Sequence, residues 1–199
     1  MSLLLAIDPI VIEYTPEQLE AWKSGPRSDC PEGYCKGLPG SYGFGEYLVG
    51  SYWEERGYCW IHHDFSVFGG NRDDKYLEAQ AVLKAALGPE LFEAARQVSK
   101  AMEPFRVPRH EAFEEPDLLI YKQDMTEVRF AECKRPGNRD QLRPQQGIGL
   151  FLLGAVLRCP VDVFLIVEAD KHTPVDQVRL DYTYGDSAVY GESRVGDAG

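Results

Sequence analysis

The sequence predicts an α/β fold, a mixed central sheet flanked by helices. Three observations carry this expectation. Short apolar runs are interleaved with segments whose apolar residues recur at helical spacing, the pattern of strands packed against helices. Val161 to Val167 (VDVFLIV) is almost continuously apolar, as a strand covered on both faces must be. Asp117 to Tyr121 (DLLIY) and Val128 to Lys134 (VRFAECK) flank the polar turn Gln123 to Glu127 and read as a hairpin. At 199 residues, 44% apolar and 27% charged, the chain has the length of one ordinary domain and enough apolar side chains for its core. A disordered, collagen-like or coiled-coil chain is excluded.

The elements follow in order. Leu3 to Tyr14 is an apolar extended stretch interrupted at Pro9. Thr15-Pro16-Glu17-Gln18 starts a helix, with Thr15 as N-cap, Pro16 at the first helical position and Gln18 closing a capping box. That helix ends near Gly25-Pro26, and residues 25 to 43 form a long loop containing Cys30 and Cys35. Phe44, Tyr47, Leu48 and Tyr52 define the next helix, stopped by Gly57. Tyr58 to Val67 reads as a strand ended by Gly69-Gly70. Two helices follow, one capped by Asp73 or Asp74 and broken at Gly88-Pro89, the other running to about Met102 before Pro104. After the hairpin comes the polar, basic loop 135 to 144, then a strongly apolar helix from Pro144 to Arg158, then the strand at 161. Val178 to Tyr184 alternates apolar and polar residues, an edge-strand pattern. Residues 1–42 are expected to be an N-terminal extension and loop, residues 43–184 the main domain, and residues 185–199 a glycine-rich flexible tail.

Charge and cysteine content narrow the function classes. With 32 acidic and 21 basic residues the net charge is −11, which opposes a broad, non-specific grip on nucleic acid. A phosphate backbone would have to be held by a local basic patch, or by metal ions neutralising carboxylates. The opening segment lacks a basic n-region and contains Asp8 and Pro9, so it does not read as a signal peptide. No apolar run is long enough for a membrane span. Together with an odd count of 5 cysteines, this points to the cytoplasm.

The chemistry is expected at the two strand ends of the hairpin. Pro116-Asp117 opens one strand, and Glu132-Cys133-Lys134 closes the other. Alternation puts Glu132 and Lys134 on one face and Cys133 on the other. A hairpin can set Asp117 beside Glu132, so that two carboxylates converge next to an ammonium. Paired carboxylates repel and retain protons unless a cation joins them. Mg2+ (or Mn2+) suits such hard oxygen ligands and keeps waters and substrate phosphates in its shell. The backbone carbonyl of Cys133 offers a further oxygen. Lys134 could hold or help deprotonate the attacking water. A carboxylate and a lysine two apart on a strand are more often a solvated face; the surrounding order of elements raises the functional reading.

Asp117, Glu132 and Lys134, in that order of elements, resemble the signature of the PD-(D/E)XK nucleases. The element order resembles their αβββαβ restriction-endonuclease-like core with a two-helix insertion after the first strand. The stretch ECKRPGNRDQLRPQQ is more closely similar to the VRR-NUC branch, in which ExK is followed by a turn, an Asp-x-Leu and a helix-initial Gln; Asp140, Leu142 and Gln146 fall at those positions. The loop after Lys134 is about two residues longer than is usual there, and Arg135 stands where Gly is common. The resemblance implies metal-dependent phosphodiester hydrolysis, with DNA the expected substrate in a repair, recombination or phage and defence setting, and leaves open whether that substrate is a flap, junction, nick or plain duplex. It further implies that Glu46, on the first helix, joins Asp117, Glu132 and Cys133 at the metal, and that Gln146 sits by the catalytic lysine or the phosphate, with Gln145 the alternative one register away. It makes a homodimer plausible.

Lys134, Arg135, Arg139 and Arg143 form the densest basic stretch and adjoin the expected metal site, so Arg135, Arg139 and Arg143 are candidates for binding DNA phosphates. Arg106, Arg109 and His110 could extend that patch. Two competing readings remain. One is a catalytically silent nuclease-fold module that binds DNA structures or scaffolds a protein partner in a repair or phage complex, which the acidic balance favours. The other is a zinc-stabilised domain using Cys30, Cys35, Cys59 and His62; against it, Cys59 and His62 lie three apart on a strand and should face opposite ways.

Overall fold

The computed structural model describes residues 2–25, 40–68, 76–102, 113–136, 140–155, 157–171 and 178–183. Among the described residues eleven elements run in the order β1 (Ser2–Ile7), β2 (Ile10–Tyr14), α1 (Pro16–Ser24), α2 (Phe44–Glu54), β3 (Tyr58–His62), α3 (Leu77–Met102), β4 (Leu118–Lys122), β5 (Val128–Lys134), α4 (Pro144–Ala155), β6 (Val161–Glu168) and β7 (Val178–Thr183). Five strands build the central mixed sheet in the order β2-β6-β5-β4-β3. β4 pairs antiparallel with both β3 and β5, whereas β6 runs parallel to both β5 and β2. β1 and β7 pair antiparallel as a separate two-stranded sheet.

Local chemistry sets the boundaries. Thr15 caps α1 with both bonds of the capping box: Gln18 N–H donates to the Thr15 hydroxyl, and Thr15 N–H donates to Gln18 Oε1 at 2.7 Å. Gly57, at φ 78°, ends the turn after α2. α3 is two helices joined by a kink, because Gly88 (φ 77°, ψ 159°) leaves helical space and Pro89 cannot donate to the preceding turn. The expected strand from Tyr58 to Val67 stops at His62. His63 adopts φ 57°, which takes the chain out of the extended region. The following segment is instead held by one side chain: Val67 and Phe68 donate their backbone N–H groups to the Glu115 carboxylate, at 2.9 and 2.8 Å to Oε1. The apolar helix ends at Ala155 rather than Arg158, where φ 55° again breaks regular structure.

The extended N-terminal stretch divides at Pro9 into two strands with different partners. β2 becomes an edge of the central sheet, with Ile10 opposite Phe164. Both faces of that sheet are covered. On one, α2 lays Phe44, Val49 and Trp53 against Leu118, Ile120, Ala131, Cys133, Phe164 and Ile166. On the other, α3 and α4 bury Leu83, Phe92 and Leu153 against Leu119, Tyr121 and Phe130. Each fully buried Leu, Ile or Phe contributes about 1.5–3 kcal/mol. Gly50 allows α2 to lie directly on β3: a Cβ there would overlap the Trp60 ring. This close contact fixes the height of α2 above the sheet, and with it the position of Glu46 one turn earlier. No helix among the described residues is long and apolar enough to cross a membrane.

The expected caps Asp73 and Asp74, the terminator Gly69-Gly70, Cys30, Cys35, Arg106, Arg109, His110, Arg139 and the tail 185–199 lie outside the described residues.

Candidate active site

The hairpin brings the two acidic residues together. β4 and β5 pair with Leu118 opposite Ala131, so one step further Asp117 stands opposite Glu132. The Asp117 carboxylate is fixed by the Cys133 backbone N–H, which donates to its Oδ2 at 2.9 Å. In an antiparallel ladder a residue's N–H and C=O face the same neighbouring strand. The Cys133 carbonyl is therefore turned toward the Asp117 side, where the sequence places a ligand oxygen.

Glu132 has no exposed surface. Its Oε1 accepts from Lys134 Nζ and from Gln146 Nε2, both at 2.5 Å. Its Oε2 is buried with no hydrogen-bond partner among the described residues. A buried carboxyl oxygen without a hydrogen-bond partner is costly; a cation, or the proton that Glu132 keeps without one, would meet it. Lys134 lies between two carboxylates, with Asp140 Oδ1 3.5 Å from its Nζ. Gln146 is held from the other end. Its Oε1 accepts from the Arg143 backbone N–H at 3.0 Å, a half capping box at the start of α4, which aims its amide at Glu132. Gln146 is buried, whereas Gln145 is used through its backbone carbonyl, which accepts from Glu114 N–H.

Glu46 completes the acidic set from the first turn of α2. Its Oε1 lies 3.7 Å from His62 Nε2. The His62 and His63 rings are 3.9 Å apart, and one ligand atom from each of Glu46, His62 and His63 falls within 4.8 Å of the others.

The electrostatics divide the carboxylates into two kinds. Burial, and then the Glu46 charge, push Asp117 up to about 6, against the opposing pull of Lys134 and the Cys133 N–H. Burial, and then Asp117, push Glu132 up to about 8. Burial would also raise Glu46, but His62, its own backbone N–H and His63 outweigh it, and the carboxyl is held below its ordinary value. Without a cation, Glu46 thus ionises most readily, Asp117 gives up its proton only near pH 6, and Glu132 keeps its own past neutral pH. Lys134 behaves oppositely: burial would lower it, but Glu132, Asp117 and Asp140 together raise it. It therefore remains an ammonium. His63 is pushed down to about 4 by burial and by His62.

A cleft of ≈ 170 Å³ opens beside these groups, lined by Ser41, Tyr42, Glu46, Cys133, Arg135 and Asp140. The basic loop is less available than its composition implies. The Arg135 guanidinium packs 5.6 Å from the Tyr14 ring and 5.7 Å from Phe44, and it donates to the Tyr14 hydroxyl at 3.4 Å. Arg143 is exposed and pairs with Glu114. Comparisons of the chain with protein-family models, curated proteins and solved structures found no match.

Sequence reasoning gave His63 no part in the site, His62 only a part in the zinc reading, and Asp140 only a place in the motif after Lys134. His62-His63 reads in sequence as a strand-end pair; the left-handed φ of 57° at His63 accompanies two rings lying 3.9 Å apart. Cys59 and His62 do face opposite ways, Cys59 packing toward α3 and His62 toward α2, which removes a zinc site that uses both.

Proposed function

We propose that the chain is a metal-dependent nuclease of the PD-(D/E)XK type, similar to VRR-NUC proteins, that hydrolyses DNA phosphodiester bonds. The observation that carries this reading is the fully buried Glu132 opposite Asp117, one of its oxygens held by Lys134 and Gln146 and the other without a hydrogen-bond partner among the described residues. The order α2, β3, β4, β5, α4, β6 supports an αβββαβ reading, with α3 as the insertion. The donor set is hard: carboxylates of Asp117, Glu132 and Glu46 and the Cys133 carbonyl, which suits Mg2+ or Mn2+. When bound there, such an ion would supply Lewis-acid chemistry, polarising a phosphoryl oxygen and acidifying water.

The protein groups do the rest. Gln146 and Lys134 lock Glu132 in one rotamer. The Lys134 ammonium, held between Glu132 and Asp140, would orient a water and stabilise negative charge developing on phosphate. Arg143, and Arg139 in the same loop, would draw the backbone toward the cleft. A panel of labelled DNA duplexes, flaps, nicks and junctions, incubated with Mg2+ and with Mn2+, tests the reading. Cleavage that Asp117→Asn abolishes supports it; no cleavage of any substrate with either ion overturns it. The net charge of −11 and the packed Arg135 favour the competing silent module, which would bind DNA or a protein partner in that panel without cutting.

A further inference from the structure

The Glu46, His62 and His63 group differs in chemistry from the oxygen-only donors beside it. Imidazole nitrogen is a poor ligand for Mg2+ and a good one for Zn2+, Ni2+, Cu2+ and Fe2+. Ligand bonds of about 2.0–2.2 Å place donor atoms on one such ion about 3–4 Å apart. The His62 and Glu46 atoms, at 3.7 Å, already meet that spacing, and the whole set lies within 4.8 Å. Small side-chain rotations close the remainder. The side chains of His62 and Glu46 are 4% and 18% exposed, so competing bulk water is largely excluded. Two consecutive strand residues would ordinarily point to opposite faces. The left-handed φ of 57° at His63 brings the second imidazole onto the Glu46 side, and a strained backbone of this kind persists only where its surroundings hold it.

We propose that Glu46, His62 and His63 form a second cation site, selective for a divalent late first-row transition metal rather than Mg2+. Three protein ligands leave positions open for water or a substrate oxygen. Glu46 is shared with the proposed nuclease centre, so its carboxylate would bridge the two ions. The inference rests on that reading only for the bridge; metal binding by the His pair stands or falls without any cleavage.

The chain contains 4 histidines, so the test is made in a background carrying His110→Gln and His172→Gln. Calorimetric titration of that full-length background with NiCl2 should show one tight site. Adding His62→Gln with His63→Asn, asparagine being a residue that tolerates the left-handed backbone, should weaken Ni2+ by about 100-fold or more, while Mg2+ binding changes by less than about threefold. Adding instead Asp117→Asn with Glu132→Gln should keep Ni2+ and lose Mg2+. Unchanged Ni2+ affinity in the first variant, or its loss in the second, overturns the proposal. A readout without variants in the site guards against misfolding. One equivalent of Cu2+ bound to the background should show electron spin-echo modulation from two imidazoles, and none or one would also overturn it. Absence of nuclease activity with intact Ni2+ binding would reject the proposed function and leave this site standing; Mg2+-dependent cleavage without Ni2+ binding would do the reverse.

Discussion

Replacing Asp117 by Asn should stabilise the cation-free protein at alkaline pH, although it removes a residue at the centre of the site. The carboxyl is pushed from an ordinary 3.8 to about 6 by burial and by Glu46. The folded state therefore keeps the proton until about pH 6, whereas the unfolded chain releases it near 3.8. Between those values folding takes up a proton, and stability falls as pH rises. Above about pH 6 the whole difference is lost, ~3 kcal/mol at 1.36 kcal/mol per decade. Asp117 is only partly buried by surface area, and residual water contact makes this an upper bound. Asparagine keeps the structural bond, since its side-chain carbonyl accepts from Cys133 N–H as Oδ2 does at 2.9 Å, and it carries no charge to repel Glu46 or Glu132. The expected gain is up to ~3 kcal/mol at pH 8 and about half of that at pH 5, or about 6–12 °C in Tm at pH 8 for a chain of this size. Thermal unfolding in EDTA at the two pH values measures it. Saturating Mg2+ should then raise the Tm of the parent and leave the variant almost unmoved. A variant less stable than the parent at pH 8, or a difference that does not grow from pH 5 to pH 8, would refute the reasoning.

Lys134→Ala should fold and bind Mg2+ but cut DNA more slowly by a factor of hundreds or more, about the contribution of one positioned charged group; near-normal cleavage would reject its role. Glu132→Ala and Asp117→Ala should each abolish cleavage, and the double variant should be hardly worse than either, because both act through one metal site; independent partial losses in single-turnover assays would mark them as unrelated carboxylates. Gln146→Ala removes a donor from buried Glu132 and an acceptor from the α4 start, at a cost of about 1–3 kcal/mol in urea unfolding, together with lower activity from a loosened Glu132; Gln145→Ala should do neither. With Ca2+ replacing Mg2+, DNA affinity should fall with salt along a shallow slope no steeper than about −4, and Arg139→Ala with Arg143→Ala should flatten it by up to about two while sparing metal affinity; a slope near −8 would place the DNA on another surface.

Much of this arrangement was legible in the sequence because it depends on local rules. Hairpin register follows from alternation and a turn, and that alone sets Asp117 opposite Glu132. The capping box at Thr15, the break at Gly88-Pro89 and the buried character of α4 and β6 are likewise written in short windows. What escaped depends on tertiary packing. Nothing near Ile10 says that it will lie beside Phe164. Arg135 looked free because sequence shows its charge but not the Tyr14 and Phe44 rings that it meets. The meeting of His62 and His63 was not legible because it depends on a left-handed turn at His63, and no neighbouring Gly or Asn signals that turn. Gln146 was placed by its register in a familiar-looking stretch, but its partner, Glu132, became visible only in three dimensions.

The pairing of β2 with β6 has a consequence for synthesis. Ile10 and Phe164 are 154 residues apart, and the parallel ladder between them closes one of the longest loops in the chain. At about 5–20 residues per second the ribosome needs about 8–30 s to deliver the partner after β2 has been made. During that interval β2, with its apolar Ile10, Val11 and Ile12, has no sheet to join, while the β4–β5 hairpin can zip as soon as it emerges. The active-site hairpin should therefore form early and the edge strand late, which makes the N-terminal segment the part of the nascent chain most in need of a chaperone.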